Sequence, residues 1–501
     1  MQLAALAATA IAVLPLAYLV IRATSGGLAA FAEVLWRPRT LELVLASVQL
    51  AVAVTASCVV LGVGLGWLVT RTDLPGRRVW QVALALPLAV PSYIAAWAWL
   101  ALAPGVAGFA GSYLVLTTIS YPYVLLPVVA ALRRTDPALE DVARTLGLTA
   151  AQAFWRVAVP QLRPATIGGA LLVGLYVISD FGAVATMRYE VLTTSIYRAY
   201  RSVFDPVPAA VLGCLVALIA LLLIVAVRAV GGRRGATMAA RPARRHPTAR
   251  LGRLGWPTLI LPAGLLALVL GVTGAGLVEW SARETVPVEW PELLGVIANT
   301  LGVSALAAAC VVLIATPVAV LAARHPGWVS RVAEFSAYLG HALPGVVVGL
   351  GVVYFGIRVA TPLYQELPLL VFGYVVLFVS LALGVIHNAV AQVSPRLGEQ
   401  ACLLGRSRWS AAAVQVRLIA PGMSMAAALV CLTVMKELPA TLFLRPTGFD
   451  TLATEVWSRI NALSYAGAAP YAAAIIVLAA VPTAALSLLG ERRQRRSGVA
   501  R

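Results

Sequence analysis

Two acidic side chains occupy places that a membrane segment tolerates poorly. Asp180 follows Val177-Ile178-Ser179, and Glu437 follows Val434-Met435-Lys436, each within a long apolar run. A carboxylate at the centre of a spanning helix costs about 2.5–3.5 kcal/mol on insertion scales. Such a group is therefore expected to face a bundle interior or an aqueous path. Its chemistry there is weak attraction of a cation along a route, or pairing with a neighbour. The neighbours to hand are Lys436 for Glu437 and backbone donors near Gly182 for Asp180. The two acids occupy equivalent positions of an internal repeat, so pseudo-symmetry would bring them to one central cavity.

The remaining reactive side chains argue against catalysis. A nucleotide-binding P-loop needs Gly-Lys-Ser/Thr after a fixed spacing. Lys436 is the only lysine, and Glu437 follows it. The four histidines (His246, His325, His341, His387) are dispersed, and the five cysteines form no CxxC pair. Neither a metal cluster nor a disulfide framework is expected, and no cofactor. No Ser/His/Asp set or paired-carboxylate signature stands out, so the chain reads as a non-enzyme. Tyr197, Tyr200, Trp457 and Tyr465 are expected near the outer interface, where aromatic belts form.

The elements that must position these residues are apolar. The chain is 61% hydrophobic and 12% charged, with mean hydropathy +0.90, against about 25% charged in soluble domains. Runs longer than the ~20 residues that cross a bilayer recur along it. We expect an all-α polytopic membrane protein with about twelve spans in two six-helix halves. The first half places spans near 3–23, 43–70, 80–103, 113–132, 165–187 and 207–230; the second near 256–280, 292–322, 332–358, 367–391, 422–444 and 470–490. Pro87, Pro91 and Gly64 inside spans point to kinks or close packing rather than breaks. The apolar start, Ala4 to Ile21, lacks a basic leader and reads as the first span.

Two polar stretches interrupt this pattern, at 137–164 and 395–421. Each reads as a helix, a glycine break at Gly147 or Gly405, and a second helix. Each is amphipathic and basic, so it is expected on a membrane face, offering a surface to something else. Pro137 pairs with Pro395, Asp141 with Glu399 and Gly147 with Gly405 at one constant spacing. Ala85-Leu86-Pro87 with Ala342-Leu343-Pro344, and Asp180 with Glu437, follow at nearly the same spacing. That regularity indicates a duplicated unit, a common plan among transporters. The domains are accordingly 1–230, a basic linker 231–255, 256–490, and a basic tail 491–501. The net charge of +18 comes mostly from arginines in loops on one face. That bias marks the cytoplasmic side, so nucleic acid is not the implied partner. Both termini, the linker and both polar stretches fall on that face.

The polar stretches resemble the coupling loop in membrane subunits of binding-protein-dependent ABC importers: Glu-Ala-Ala, then Gly, then hydrophobic-x-hydrophobic-Pro. Asp141-Val142-Ala143, Gly147 and Val157-Ala158-Val159-Pro160 fit the first copy. Glu399-Gln400-Ala401 and Gly405 fit the second, where the terminal Pro is missing and Pro421 matches Pro164. Two further stretches, Ser179-Asp-Phe-Gly-Ala-Val-Ala-Thr186 and Lys436-Glu-Leu-Pro-Ala-Thr-Leu-Phe-Leu-Arg445, resemble fused two-half ferric-iron permeases. The resemblance implies a type I importer fold, an ATPase dimer gripping both loops from the cytoplasm, and an extracytoplasmic substrate-binding protein. It implies ferric iron as substrate, with thiamine or another small solute as the alternative, in a bacterial inner membrane. The residues it implies for coupling are Asp141, Ala143, Gly147, Pro160, Glu399, Ala401 and Gly405. A rival reading is a twelve-helix secondary transporter, since the turn Arg71-Thr-Asp-Leu-Pro-Gly-Arg-Arg78 faintly resembles a major-facilitator loop. It fails to account for two amphipathic loops at one repeat spacing.

Overall fold

The computed structural model of the protein describes residues 2–133, 135, 137–202, 207–231, 251–252, 255–284, 286–325, 327–394, 397, 400 and 407–499. Regular structure among them is helical. In chain order the helices are α1 Gln2–Thr24, α2 Gly27–Leu35, α3 Pro38–Arg71, α4 Arg77–Ala83, α5 Ser92–Leu102, α6 Phe109–Ser120, α7 Pro122–Leu132, α8 Pro137–Thr145 and α9 Ala150–Ala153. There follow α10 Val159–Ser179, α11 Gly182–Thr186, α12 Leu192–Ser202, α13 Val207–Gly231, α14 Ile260–Leu266, α15 Val272–Arg283 and α16 Trp290–Arg324. The chain ends with α17 Trp328–Ala342, α18 Gly345–Arg358, α19 Leu367–Gln392, α20 Arg408–Met435, α21 Pro439–Leu444, α22 Leu452–Asn461 and α23 Tyr465–Val499. In lipid every backbone polar group must be satisfied within its own segment, which explains the all-helical outcome.

Among the described residues, 8 helices are long and apolar enough to cross a membrane, or up to 10 if each of two bent pairs counts as one span. Gly345–Arg358 and Tyr465–Ala480 are shorter apolar helices. The polytopic all-α expectation holds. Four expected spans, however, are not continuous rods. The 80–103 span turns by 92° between Arg77–Ala89 and Ser92–Leu102, so Pro91 breaks the span rather than kinking it. Pro lacks an N–H and disfavours helical backbone in the residue before it. The 332–358 span breaks likewise at Leu343-Pro344, the 165–187 span at Asp180, and the 422–444 span between Met435 and Pro439. Gly64 also departs from expectation: a Cβ there would meet nothing within 4 Å, whereas one at Gly62 or Gly66 would run into Val124 or Val128 of α7.

The backbone corrects one internal match. Val90 and Pro91 (φ/ψ −81/120 and −63/140) precede α5, just as Leu343 and Pro344 (−78/132 and −57/145) precede α18. Pro91, not Pro87, is therefore the counterpart of Pro344. Pro87 lies in a preceding 3-10 turn, Leu86–Ala89. The two Ala-x-Pro triplets of the first half look alike, and only the chain path separates them.

The chain divides into two compact units. One comprises Met1–Leu41, Leu192–Leu218 and Thr285–Ile475; the other Glu42–Val191, Ile219–Glu284 and Ile476–Arg501. In the first, α1 packs on α17 and α18. Tyr18 meets Phe355 edge-on at 5.5 Å, Arg22 lies 5.8 Å over the Tyr354 ring, and Gly351 leaves room for the Pro15 carbonyl. In the second, α15 packs on α5. Trp280 stacks on Trp97 at 5.7 Å and 3° and donates its Nε1–H to the Trp97 carbonyl at 3.1 Å. Arg283 donates to the Ala101 carbonyl at 3.0 Å, and Gly276 lies against the Ala98 backbone. Each unit thus draws one opening helix from the other half of the sequence. Most of the linker, 232–250, lies outside the described residues.

Candidate translocation and coupling sites

Asp180 is buried and ends α10 in extended backbone, φ −65 and ψ 132. Its Oδ1 accepts the N–H of Ala183 at 2.9 Å and of Val184 at 3.4 Å. The carboxylate thereby caps the short helix α11, where an acid is favoured by orphan N–H groups and the local dipole. Its Oδ2 accepts from the Ser92 hydroxyl at 2.5 Å. Ser92 is the first residue of α5, so one carboxylate ties two helix starts together at the break in each span. Gly182 packs on Tyr93, where a Cβ would crowd the tyrosine's own Cβ.

Glu437 repeats the plan in the other unit. Its Oε1 accepts the Ala440 N–H at 3.1 Å, at the start of α21. Its carbonyl accepts from the Thr441 hydroxyl at 2.7 Å, and that hydroxyl lies 2.7 Å from Tyr374 Oη. Gly345 begins α18 as Ser92 begins α5, and a Cβ at Gly345 would collide with Glu437 Oε1. The longer glutamate reaches the place that the Ser92 hydroxyl fills beside Asp180. Phe443 of α21 carries Tyr200 at 4.8 Å and Tyr197 at 5.9 Å from α12. These two tyrosines therefore pack on a ring within the protein.

The first polar stretch is built by local rules. Gly147 has φ +90 and closes α8 in a Schellman motif. Its N–H bonds the Arg144 carbonyl at 3.0 Å, and that of Leu148 bonds Ala143 at 3.2 Å. Thr149 and Gln152 then form a capping box for α9, with bonds of 3.0 and 3.3 Å. Ala143 is buried, and Asp141 is exposed. Pro160 is exposed in the first turn of α10, after a π-turn over Phe154–Ala158. Leu139 and Val142 on α8 and Leu146 just past its end recur at helical spacing, and all are exposed, as is Trp155. An exposed apolar stripe rimmed by charge is the mark of a protein interaction surface. Beside it an open groove is lined by Asp141, Arg144, Thr145, Leu148 and Thr149.

In the second stretch Glu399, Ala401 and Gly405 lie outside the described residues, so their geometry is not assigned. Leu397 is exposed there. Four contributors escaped sequence reasoning. Ser92 was hidden because Pro91 was read as a kink. Glu140 stood beside the motif acid Asp141 and drew no notice. Tyr374 and Thr441 carry no local pattern. Among the described residues no group of three or more His, Cys, Asp or Glu side chains could hold a metal ion.

Comparison with known proteins fits this anatomy. The profile of the family described as binding-protein-dependent transport system inner membrane component matches residues 58–235 and again 315–495. Over 476 residues, 94% of each chain, the sequence is 31% identical to the Fe(3+)-transport system permease protein FbpB 2 of Haemophilus influenzae. It is 30% identical over 190 residues, 35% of this chain and 68% of the relative, to the sulfate transport system permease protein CysT of Salmonella typhimurium. It is 30% identical over 212 residues, 38% and 80% respectively, to the molybdenum transport system permease protein ModB of Mycobacterium bovis. Two family matches in one chain, and a relative similar from end to end, show that this protein belongs to the binding-protein-dependent transport system inner membrane components.

Proposed function

We propose that this permease carries ferric iron inward, released to it by an extracytoplasmic binding protein and driven by separate ATPase subunits. The observation that carries the substrate is the extent of similarity. The ferric relative matches across 94% of both chains, whereas the sulfate and molybdenum relatives each match little more than a third of this one. The exposed stripe Leu139, Val142, Leu146 and Trp155 supports ATPase docking on the first loop; by repeat, Glu399, Ala401 and Gly405 serve the second. The arginine bias of the loops, linker and tail supports a cytoplasmic face for both loops and the linker, and an even number of spans per half puts both termini there too. Asp180 and Glu437 hold the broken helices that border the route. ATP-driven closure of the ATPase pair moves the loops, and the attached spans alternate access to the route.

The test is reconstitution of the permease with its ATPase and binding protein in vesicles. Radiolabelled ferric iron is expected to accumulate only with ATP inside the compartment that holds the ATPase. Accumulation of sulfate, molybdate or thiamine instead would reassign the substrate. Uptake driven by an ion gradient with no ATPase present would overturn the importer reading.

A further inference from the structure

We propose that Arg71 and Arg324 are positioning residues: Arg71 fastens the first coupling helix to the end of a long span, and Arg324 fastens to its own long span the residue from which the second coupling segment departs. The inference rests on the importer reading and extends it to how motion leaves the loops. Arg71 is the last residue of α3, and its side chain is buried, 7% exposed. Its Nη2 donates to Glu140 Oε1 of α8 at 2.7 Å and to Thr135 Oγ1 at 2.8 Å. Thr135 is anchored in turn, its hydroxyl donating to the Leu132 carbonyl at 2.8 Å. One guanidinium therefore joins the end of a spanning helix, the end of α7 and the first turn of the coupling helix.

The turn that follows Arg71 is itself secured. Thr72 donates to the Leu68 carbonyl at 2.6 Å, and Asp73 accepts the Leu251 N–H at 2.7 Å. Gln81 of α4 donates to the Val69 carbonyl at 2.6 Å and accepts from Arg133. The arginine end of α3 is thus a fixed point rather than a frayed helix terminus.

The second unit carries a related arginine, bonded at the end of the preceding span. Arg324 is the last residue of α16, and its Nη2 donates to the Val393 carbonyl at 2.6 Å, immediately before the second coupling segment. The residue that matches Glu140 in the repeat is Gly398, which carries no carboxylate. Arginine suits both settings, because its planar fork bonds a carboxylate or a carbonyl without losing charge. Displacement of a coupling segment is thereby passed to the adjoining span as rigid-body motion instead of being absorbed by a flexing loop.

The experiment measures a distance within one unit. Spin labels are placed at Thr145 of α8 and Val60 of α3, both exposed, in a cysteine-free permease bound to its ATPase. The distance is read without nucleotide and with ATP trapped by vanadate. The unaltered permease is expected to show one narrow distance in both states. In Arg71→Gln the trapped state is expected to shift or broaden by more than about 2 Å, the scale of helix displacements in switching proteins. Arg71→Lys is expected to restore most of the narrow distribution, which a packing defect alone would not predict. If Arg71→Gln does not fold, Glu140→Gln, at a partly exposed position, is read in its place; Arg324→Gln is read between Leu313 and Leu397. A distance that changes with nucleotide in the unaltered protein, or one that stays narrow in Arg71→Gln and Glu140→Gln, would overturn the proposal. Failure of the ATPase to bind the unaltered permease would overturn the importer reading first, and the proposal with it.

Discussion

Asp180 and Glu437 illustrate how one side chain does structural and electrostatic work together. A break in a spanning helix leaves N–H groups without partners in a medium that offers none. A carboxyl group at the break accepts those N–H groups. In its ionised form its bonds are stronger than neutral ones. Removing the hydroxyl in Ser92→Ala deletes one charged hydrogen bond, a loss of about 1.5–3 kcal/mol. Thermal unfolding of the purified permease should register it as a lower midpoint. Asp180→Ala should cost more, because Ala183 and Val184 then also lose their acceptor. Asp180→Asn keeps an acceptor without the charge. It should lower the unfolding midpoint less than Asp180→Ala does while reducing ATP-driven uptake of the substrate proposed above at least several-fold. Equal uptake in Asp180→Asn would remove the charge from the transport route and leave a cap alone.

The coupling segment shows why an element's sequence can be read while its orientation cannot. Pro137 to Thr149 contains a helix, a glycine stop and a new cap, each a local rule. The ion pair between Glu140 and Arg71, residues far apart in the chain, holds one edge of this helix inward. With Glu140 turned inward, Leu139, Val142 and Leu146 are left on the surface. Gly147→Leu forces a side chain into left-handed backbone, at about 1–2 kcal/mol. With the matching change at Gly405, it should reduce substrate-stimulated ATP hydrolysis while membrane insertion remains normal. Leu146→Glu tests the apolar stripe directly: co-purification of the ATPase should fall sharply with no change in thermal stability. Retained co-purification would move the docking surface off this helix face.

At the scale of the whole chain, the two compact units do not coincide with the two halves of the sequence. Helix α1 belongs with α17 and α18, and α15 with α5. At Gly351 and Gly276 the helices approach closely, each glycine facing a backbone carbonyl of the helix it packs on. Small residues at such crossings let helices pack where lipid supplies no hydrophobic drive. Gly276→Leu should therefore destabilise the permease by about 1–3 kcal/mol, as overpacking does. Its signature should be exposure of Trp280, read as a change in tryptophan fluorescence.

The sequence by itself determined the class and the repeat. Hydropathy and arginine bias report how each segment meets lipid or water, and that interaction is local. The same reasoning located Asp180, Glu437 and Gly147 without coordinates. It mistook Pro91 for a kink and paired Pro87 with Pro344, because a proline signals irregular backbone without saying whether the helix resumes in line. Only the tertiary structure decided that Ser92 meets Asp180, that Arg71 holds Glu140, and that the opening helices are exchanged between the halves. Those partners are separated by long stretches of chain, and their meeting depends on packing that no local pattern of residues encodes.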